Sequence, residues 1–339
     1  MRHSSLLVLV GLLSTPGLSA KSPKRGLVAV SSRDWSADDA IFVREDSPIS
    51  WYYNFYWNVS DSYASLPQAQ VEFVPMMWGG GVNDTDFLGN VTEMIAPSSG
   101  GSGRNITHVL GFNLPDQSYE NGGSQMEPAD AARAWVRNLL PLRDKFGVKL
   151  GLPVVGDPRG GWIDPFLKNC SSLNEDKECE FDFVPLHSFG HIGVLQDRVA
   201  KFSSAFPGVP LWVTQYGYTN QNLSTTQEYF NQSLAFLEGN EAVARYSWFG
   251  AFRSVVSNVG PNMAMLDPYG NLTDIGSWYL GGNATGKAAL PDAGQRTNAC
   301  SVENPCTGGD KNAGASLCIG SSLARSGTAA ALGALIIFL

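Results

Sequence analysis

Val71-Glu72-Phe73-Val74-Pro75-Met76-Met77-Trp78 is apolar on both faces apart from Glu72, the pattern of a strand covered on both sides by helices in a parallel sheet. Working outward, seven further β-branched or aromatic runs recur between longer segments of helical period. They are Gly26 to Val30, Ile49 to Tyr56, Thr107 to Asn113, Val148 to Val155, Phe181 to His187, Pro210 to Tyr216 and Ala244 to Gly250. Ile192, Leu195, Val199, Phe202 and Phe206 form one helical stripe,. Ser224 and Gln227 make a capping-box pattern ahead of Phe230, Leu234 and Leu237,. Pro128 to Phe146 reads as the longest helix, kinked at Pro141, with shorter ones at Thr85 to Ile95 and Leu272 to Leu280,. This alternation over residues 26–281 predicts an α/β fold, a single-domain (β/α)8 TIM barrel. A doubly wound open sheet is the rival, but no Gly-x-Gly-x-x-Gly turn follows the first strand, so its nucleotide-binding version lacks its main support.

At roughly 150 residues per domain, 339 residues allow two domains or one large barrel. Charged residues are 16%, hydrophobic 43% and aromatic 11%, which excludes a disordered chain or a coiled coil. The net charge of -8, with no Lys/Arg run, argues against nucleic acid or an anionic membrane surface as partner. A neutral ligand fits better.

The two ends set the expected location. Arg2 and His3, an apolar stretch from Leu6 to Leu13 and small residues to Ala20 form a secretory signal pattern over residues 1–20,; a buried first helix is the alternative. A Gly/Ala/Asn-rich linker is read over 282–312. Small residues, a short spacer and the apolar run Thr328 to Leu339 then form a GPI-attachment signal over 313–339, removed on maturation,. That run is too short to cross a bilayer, which needs about 20 residues; a terminal packing helix is the alternative. A secreted chain with five cysteines leaves one unpaired,. If Cys318 departs with the tail, Cys170 with Cys179 and Cys300 with Cys306 are the simplest pairs. Nine glycosylation sequons, at Asn58, Asn83, Asn90, Asn105, Asn169, Asn222, Asn231, Asn271 and Asn283, favour a glycosylated surface protein. No cysteine or histidine spacing offers a metal site, and no cofactor is expected.

In a barrel the site lies at the carboxyl ends of the strands. Those ends carry Trp51, Tyr53 and Trp57, then Trp78, Asn113, Asp157, His187, Gln215, Tyr216, Trp248 and Phe249. Aromatic faces with neutral polar neighbours suit the apolar faces and hydroxyls of sugar rings.

At these residues the chain resembles glycoside hydrolase family 128. The carriers are Val71 to Gly79, His108-Val109-Leu110-Gly111-Phe112-Asn113-Leu114-Pro115-Asp116, Phe181 to His187, and Trp212-Val213-Thr214-Gln215-Tyr216-Gly217. The resemblance implies a barrel that cleaves β-1,3-glucan with retention, using a glutamate acid/base on strand four and a glutamate nucleophile on strand seven. Here those positions hold Leu114 and Gln215, so neither group can act. Trp51, Tyr53, Trp78, Asn113, Asp116, His187, Gln215, Tyr216 and Trp248 remain as candidate substrate-binding residues. The expectation is a monomeric, secreted, GPI-anchored cell-wall or cell-surface protein that binds β-glucan poly- or oligosaccharide, touches membrane only through its lipid, and is catalytically impaired. An active β-1,3-glucanase or transglycosidase using displaced acids such as Asp116, Asp157 or Asp267 is the alternative, and a glycosylated structural wall protein a third.

Overall fold

The computed structural model describes residues 22–80 and 86–289. The expected leader and lipid-attachment segments, the linker beyond residue 289, Asn83, Cys300, Cys306 and Cys318 lie outside the described residues.

All eight expected strands occur, and all are parallel to their partners. β1 (Gly26–Val28), β2 (Trp51–Tyr53) and β3 (Glu72–Phe73) form one sheet, β4 (His108–Leu110) and β5 (Lys149–Gly151) a second, and β6 (Val184–Phe189), β7 (Leu211–Gly217) and β8 (Val243–Trp248) a third. The ladder is therefore not one continuous ring. Single bridges, Met76 to Leu110, Gly151 to Phe183 and Arg25 to Tyr246, span the gaps between the sheets. One reason for the short ladders is chemical: Pro75 and Pro153, just past β3 and β5, have no N–H to give.

Strands that are not neighbours in any sheet meet across a shared interior. Glu72 on β3 pairs with Arg245 on β8 at 2.6 Å. Tyr53 on β2 donates its hydroxyl to the Thr214 carbonyl on β7 at 3.1 Å, and the His108 and Trp212 rings lie 5.1 Å apart.

The helices α1 (Asp39–Phe42), α2 (Asp86–Ile95), α3 (Pro128–Asn138), α4 (Leu140–Phe146), α5 (Ile163–Leu173), α6 (Ile192–Ala205), α7 (Leu223–Gly239) and α8 (Asp274–Tyr279) fill the connections. In α6 the stripe Leu195, Val199, Phe202 is buried, as its period requires,. The single helix read over Pro128 to Phe146 is two: the run breaks at Leu139, and Pro141 sits in the first turn of α4, where its missing N–H costs nothing. The start of α7 also differs, because Asn222 rather than Ser224 is the cap. Its side chain accepts from the Thr225 N–H at 2.9 Å. The unforeseen α5 buries Ile163, Phe166 and Cys170 at steps of three and four. A disulfide from Cys170 to Cys179 ties down its end.

Candidate functional site

The carboxyl ends of β4, β5, β6 and β7 converge on a set of buried polar groups. Asn113, beyond β4, is 1% exposed. Its N–H donates to the Trp78 carbonyl, its Nδ2 donates to the Gly122 carbonyl at 2.9 Å, and its Oδ1 has no partner. Leu114 follows in the left-handed region, φ 44°, a conformation that costs a non-glycine residue about 1–2 kcal/mol. Asp116 accepts from the Gly156 N–H at 2.8 Å through Oδ2, while Oδ1 has no partner.

Arg198 of α6 joins these ends. It donates to the carbonyls of Gly156 and Val155, each at 3.1 Å, and to that of His187. His187 stands in register with Gln215. Burial, and then the Arg198 charge, lower the imidazole to about 3, so His187 is neutral at physiological pH and its Nε2 is a buried unpartnered polar atom. Gln215 is 3% exposed and directly follows Thr214, whose carbonyl takes the Tyr53 hydroxyl. The set is thus neutral apart from Arg198 and Asp116, and it holds donors and acceptors with capacity to spare.

Four of the aromatic candidates are packing residues. Trp51 opens β2 instead of closing it: it stands at the amino end, its Nε1 bonded to the Lys24 carbonyl at 3.0 Å and its ring 5.1 Å from Trp212. Tyr53 is fully buried one pleat further on, against Trp51. Tyr216 and Trp248 pack on each other and, with Tyr229 and Phe230, fill the space between β7, β8 and α7; the Trp248 Nε1 donates to the Met263 carbonyl at 2.8 Å. None of the four offers a ring face to a ligand. Trp78 does. It is half-buried beyond the end of β3 and stacks on Tyr119, 6.1 Å away with planes 25° apart.

Sequence reasoning missed Tyr119, 62% exposed, and Ser124, whose N–H donates to the Asn113 carbonyl at 2.9 Å. The signal was available in Gly122-Gly123, which marks a tight loop between β4 and α3. Tyr56 and Trp57 after β2 are also exposed, and a cleft of about 610 Å³ opens between the loops that follow β1 and β2, lined by Ser31, Ser32, Arg33, Ser36, Asp61 and Ser62 among others.

Asp157 is a surface residue paired with Lys201 at 2.9 Å. The Asp267 carboxylate is taken up by the Tyr269 and Asn271 N–H groups and the Asn271 side chain. Among the described residues no group of three His, Cys, Asp or Glu is arranged to hold a metal ion. No helix among them is long and apolar enough to cross a membrane.

Parallel strands whose carboxyl ends gather neutral polar groups beside an aromatic pair suit a carbohydrate ligand. The profile of the family described as "Glycosyl hydrolase catalytic core" matches residues 26–279. The chain belongs to that family. Alkali-sensitive linkage protein 1 of Schizosaccharomyces pombe is 30% identical over 270 residues, 77% of this chain and 45% of that protein, so the chain spans about half the length of this curated relative. A GH128 (subgroup II) endo-β-1,3-glucanase from Pseudomonas viridiflava is similar in fold, with 25% identity, TM-score 0.60, and 78% of this chain and 100% of that one covered. So is a GH128 (subgroup VII) oligosaccharide-binding protein from Cryptococcus neoformans, with 21% identity, TM-score 0.56, and coverages of 79% and 96%.

Proposed function

We propose that this chain is a cell-surface β-1,3-glucan-binding protein on a glycoside hydrolase scaffold, with its hydrolytic turnover impaired. The observation that carries the reading is the state of the two positions where the family 128 resemblance expects glutamates. Leu114 puts an alkyl group on a left-handed backbone, and Gln215 is a buried carboxamide in register with His187. Retaining hydrolysis needs two carboxyl groups about 5–5.5 Å apart. Leucine has no proton to give, and a carboxamide carries no charge with which to trap a glycosyl intermediate. Asp157 and Asp267 are committed elsewhere. Asp116 keeps one unpartnered oxygen, but a single acid does not make the pair.

Binding is supported by the spare polar atoms at the strand ends and by a fold neighbour described as oligosaccharide-binding. The three bridges between sheets, with the contacts across their shared interior, support a closed (β/α)8 barrel, in which strand carboxyl ends form the site. Of the eight sequon asparagines among the described residues, none is buried, in keeping with a secreted glycoprotein. A leader over 1–20, a linker over 282–312, a lipid-attachment signal over 313–339 and a monomeric state complete the proposal.

The test compares the wild type with a Leu114→Glu/Gln215→Glu double variant on laminarin. The wild type should bind and release no reducing ends, while the double variant gains cleavage. Release of reducing ends by the wild type, abolished by Asp116→Asn, would establish displaced-acid catalysis instead. Absence of laminarin binding would leave the structural wall role.

A further inference from the structure

We propose that Trp78 and Tyr119, with Asn113 and Ser124 at their base, form a subsite that seats one pyranose ring of a β-linked gluco-oligosaccharide; this rests on the glucan-binding reading above. The loop between β4 and α3 is built to hold an aromatic ring outward. Gln117 N–H bonds the Leu114 carbonyl, Gly123 N–H the Ser118 carbonyl, Gln125 N–H the Gln117 carbonyl and Met126 N–H the Pro115 carbonyl, at 2.9–3.0 Å. The Gln125 side chain accepts from the Tyr119 N–H at 3.2 Å. A Cβ at Gly123 would fall 2.4 Å from two of those carbonyls, so only glycine closes the loop.

The result is an exposed phenol ring held near-parallel to a half-buried indole. The loop's hydrogen bonds order Tyr119 before any ligand arrives, so little conformational entropy is lost on binding.

The polar half of the subsite is an independent observation. Asn113 and Ser124 are 1% and 2% exposed, and Asn113 Oδ1 and Ser124 Oγ have no hydrogen-bond partner. Both flank the indole's own backbone: the Asn113 N–H holds the Trp78 carbonyl, and a Cβ on Gly79 would come within 2.8 Å of Ser124 Cβ. Buried polar atoms without partners are costly, and sugar hydroxyls would relieve them. A β-glucosyl unit, with all its ring substituents equatorial, presents flat C–H faces to the rings and hydroxyls at its edge; an axial hydroxyl would obstruct the face from which it projects.

The experiment is calorimetric titration of the full chain with laminarihexaose, for wild type, Tyr119→Ala, Tyr119→Phe and Ser124→Ala, with urea midpoints as a check on folding. Tyr119→Ala should weaken binding about tenfold without moving the midpoint. Tyr119→Phe should bind as the wild type does, and Ser124→Ala should bind several-fold more weakly. Wild-type affinity in Tyr119→Ala would overturn the subsite and leave the glucan reading standing. No binding by the wild type would overturn both.

Discussion

Replacing Glu72 by glutamine tests the charge network at the amino end of the strands. One Glu72 oxygen lies 2.7 Å from His108 Nδ1 and accepts from the Thr107 hydroxyl at 2.6 Å; the other meets Arg245 at 2.6 Å. The Arg245 guanidinium lies over the Trp212 ring at 4.2 Å. Burial pushes the Glu72 carboxyl up, but the His108 hydrogen bond and the Arg245 charge outweigh it and hold the group at about 2, against an ordinary value of 4.5. With the side chain 17% exposed, that difference contributes about 3 kcal/mol to folding at neutral pH. The folded-state value is the lower one, so this stability is present above about pH 4.5 and is lost as pH falls toward 2. Glu72→Gln also leaves the Arg245 charge uncompensated in a largely buried position. The variant should unfold about 3 kcal/mol more easily at pH 7 by urea titration, and the gap to the wild type should close as pH is lowered from 5 to 2. An equal loss of stability in both proteins over that range would refute the assignment to Glu72.

Two further changes probe the carboxyl side. Because burial and Arg198 lower His187 to about 3, the unfolded chain takes up that proton first. Stability should fall as pH drops from about 6.5 to 3, by on the order of 4 kcal/mol, and His187→Gln should flatten the urea midpoint over that window; an unchanged slope would exclude His187 as the source. Leu114→Gly relieves a left-handed leucine at φ 44° and should raise the thermal midpoint by the equivalent of about 1 kcal/mol; a lower midpoint would mean that the leucine side chain contributes more by packing than its backbone costs.

The eight strands were legible because their apolar runs are bounded by polar or turn residues and separated by segments of a different period. The end of a strand at which a ring stands was not legible. Trp51 and Trp78 both occur in aromatic strand runs, but Trp51 opens β2 and plugs the interior floor beside Trp212, whereas Trp78 lies past the last residue of β3, half-buried and stacked on Tyr119. Trp248 does close its strand, yet its side chain packs with Tyr229 and Phe230 of α7, on the side that pleat alternation assigns to the helices. Asn113 and His187 could be placed from the expected strand runs, although β4 stops at Leu110 and β6 runs on to Phe189, and Asp116 came with the family 128 motif. Tyr119 could not, since its orientation depends on hydrogen bonds within a loop that has no periodicity to read.

The surroundings of Gln215 bear on what a glutamate would do there. Burial raises the hydroxyls of Tyr53 and Tyr216 and lowers the His187 imidazole; each shift favours the uncharged form. An introduced carboxyl at 215 would be held above the ordinary carboxylate range for the same reason. Any turnover gained by the double variant should therefore rise with pH beyond the point where an ordinary carboxyl has ionised. Leu114 is half-buried at the rim, where a carboxyl loses less hydration, so the acid/base position is the easier of the two to restore. The interior around 215 suits a neutral amide better than a carboxylate, and that match of environment to residue supports the proposal of binding over cleavage.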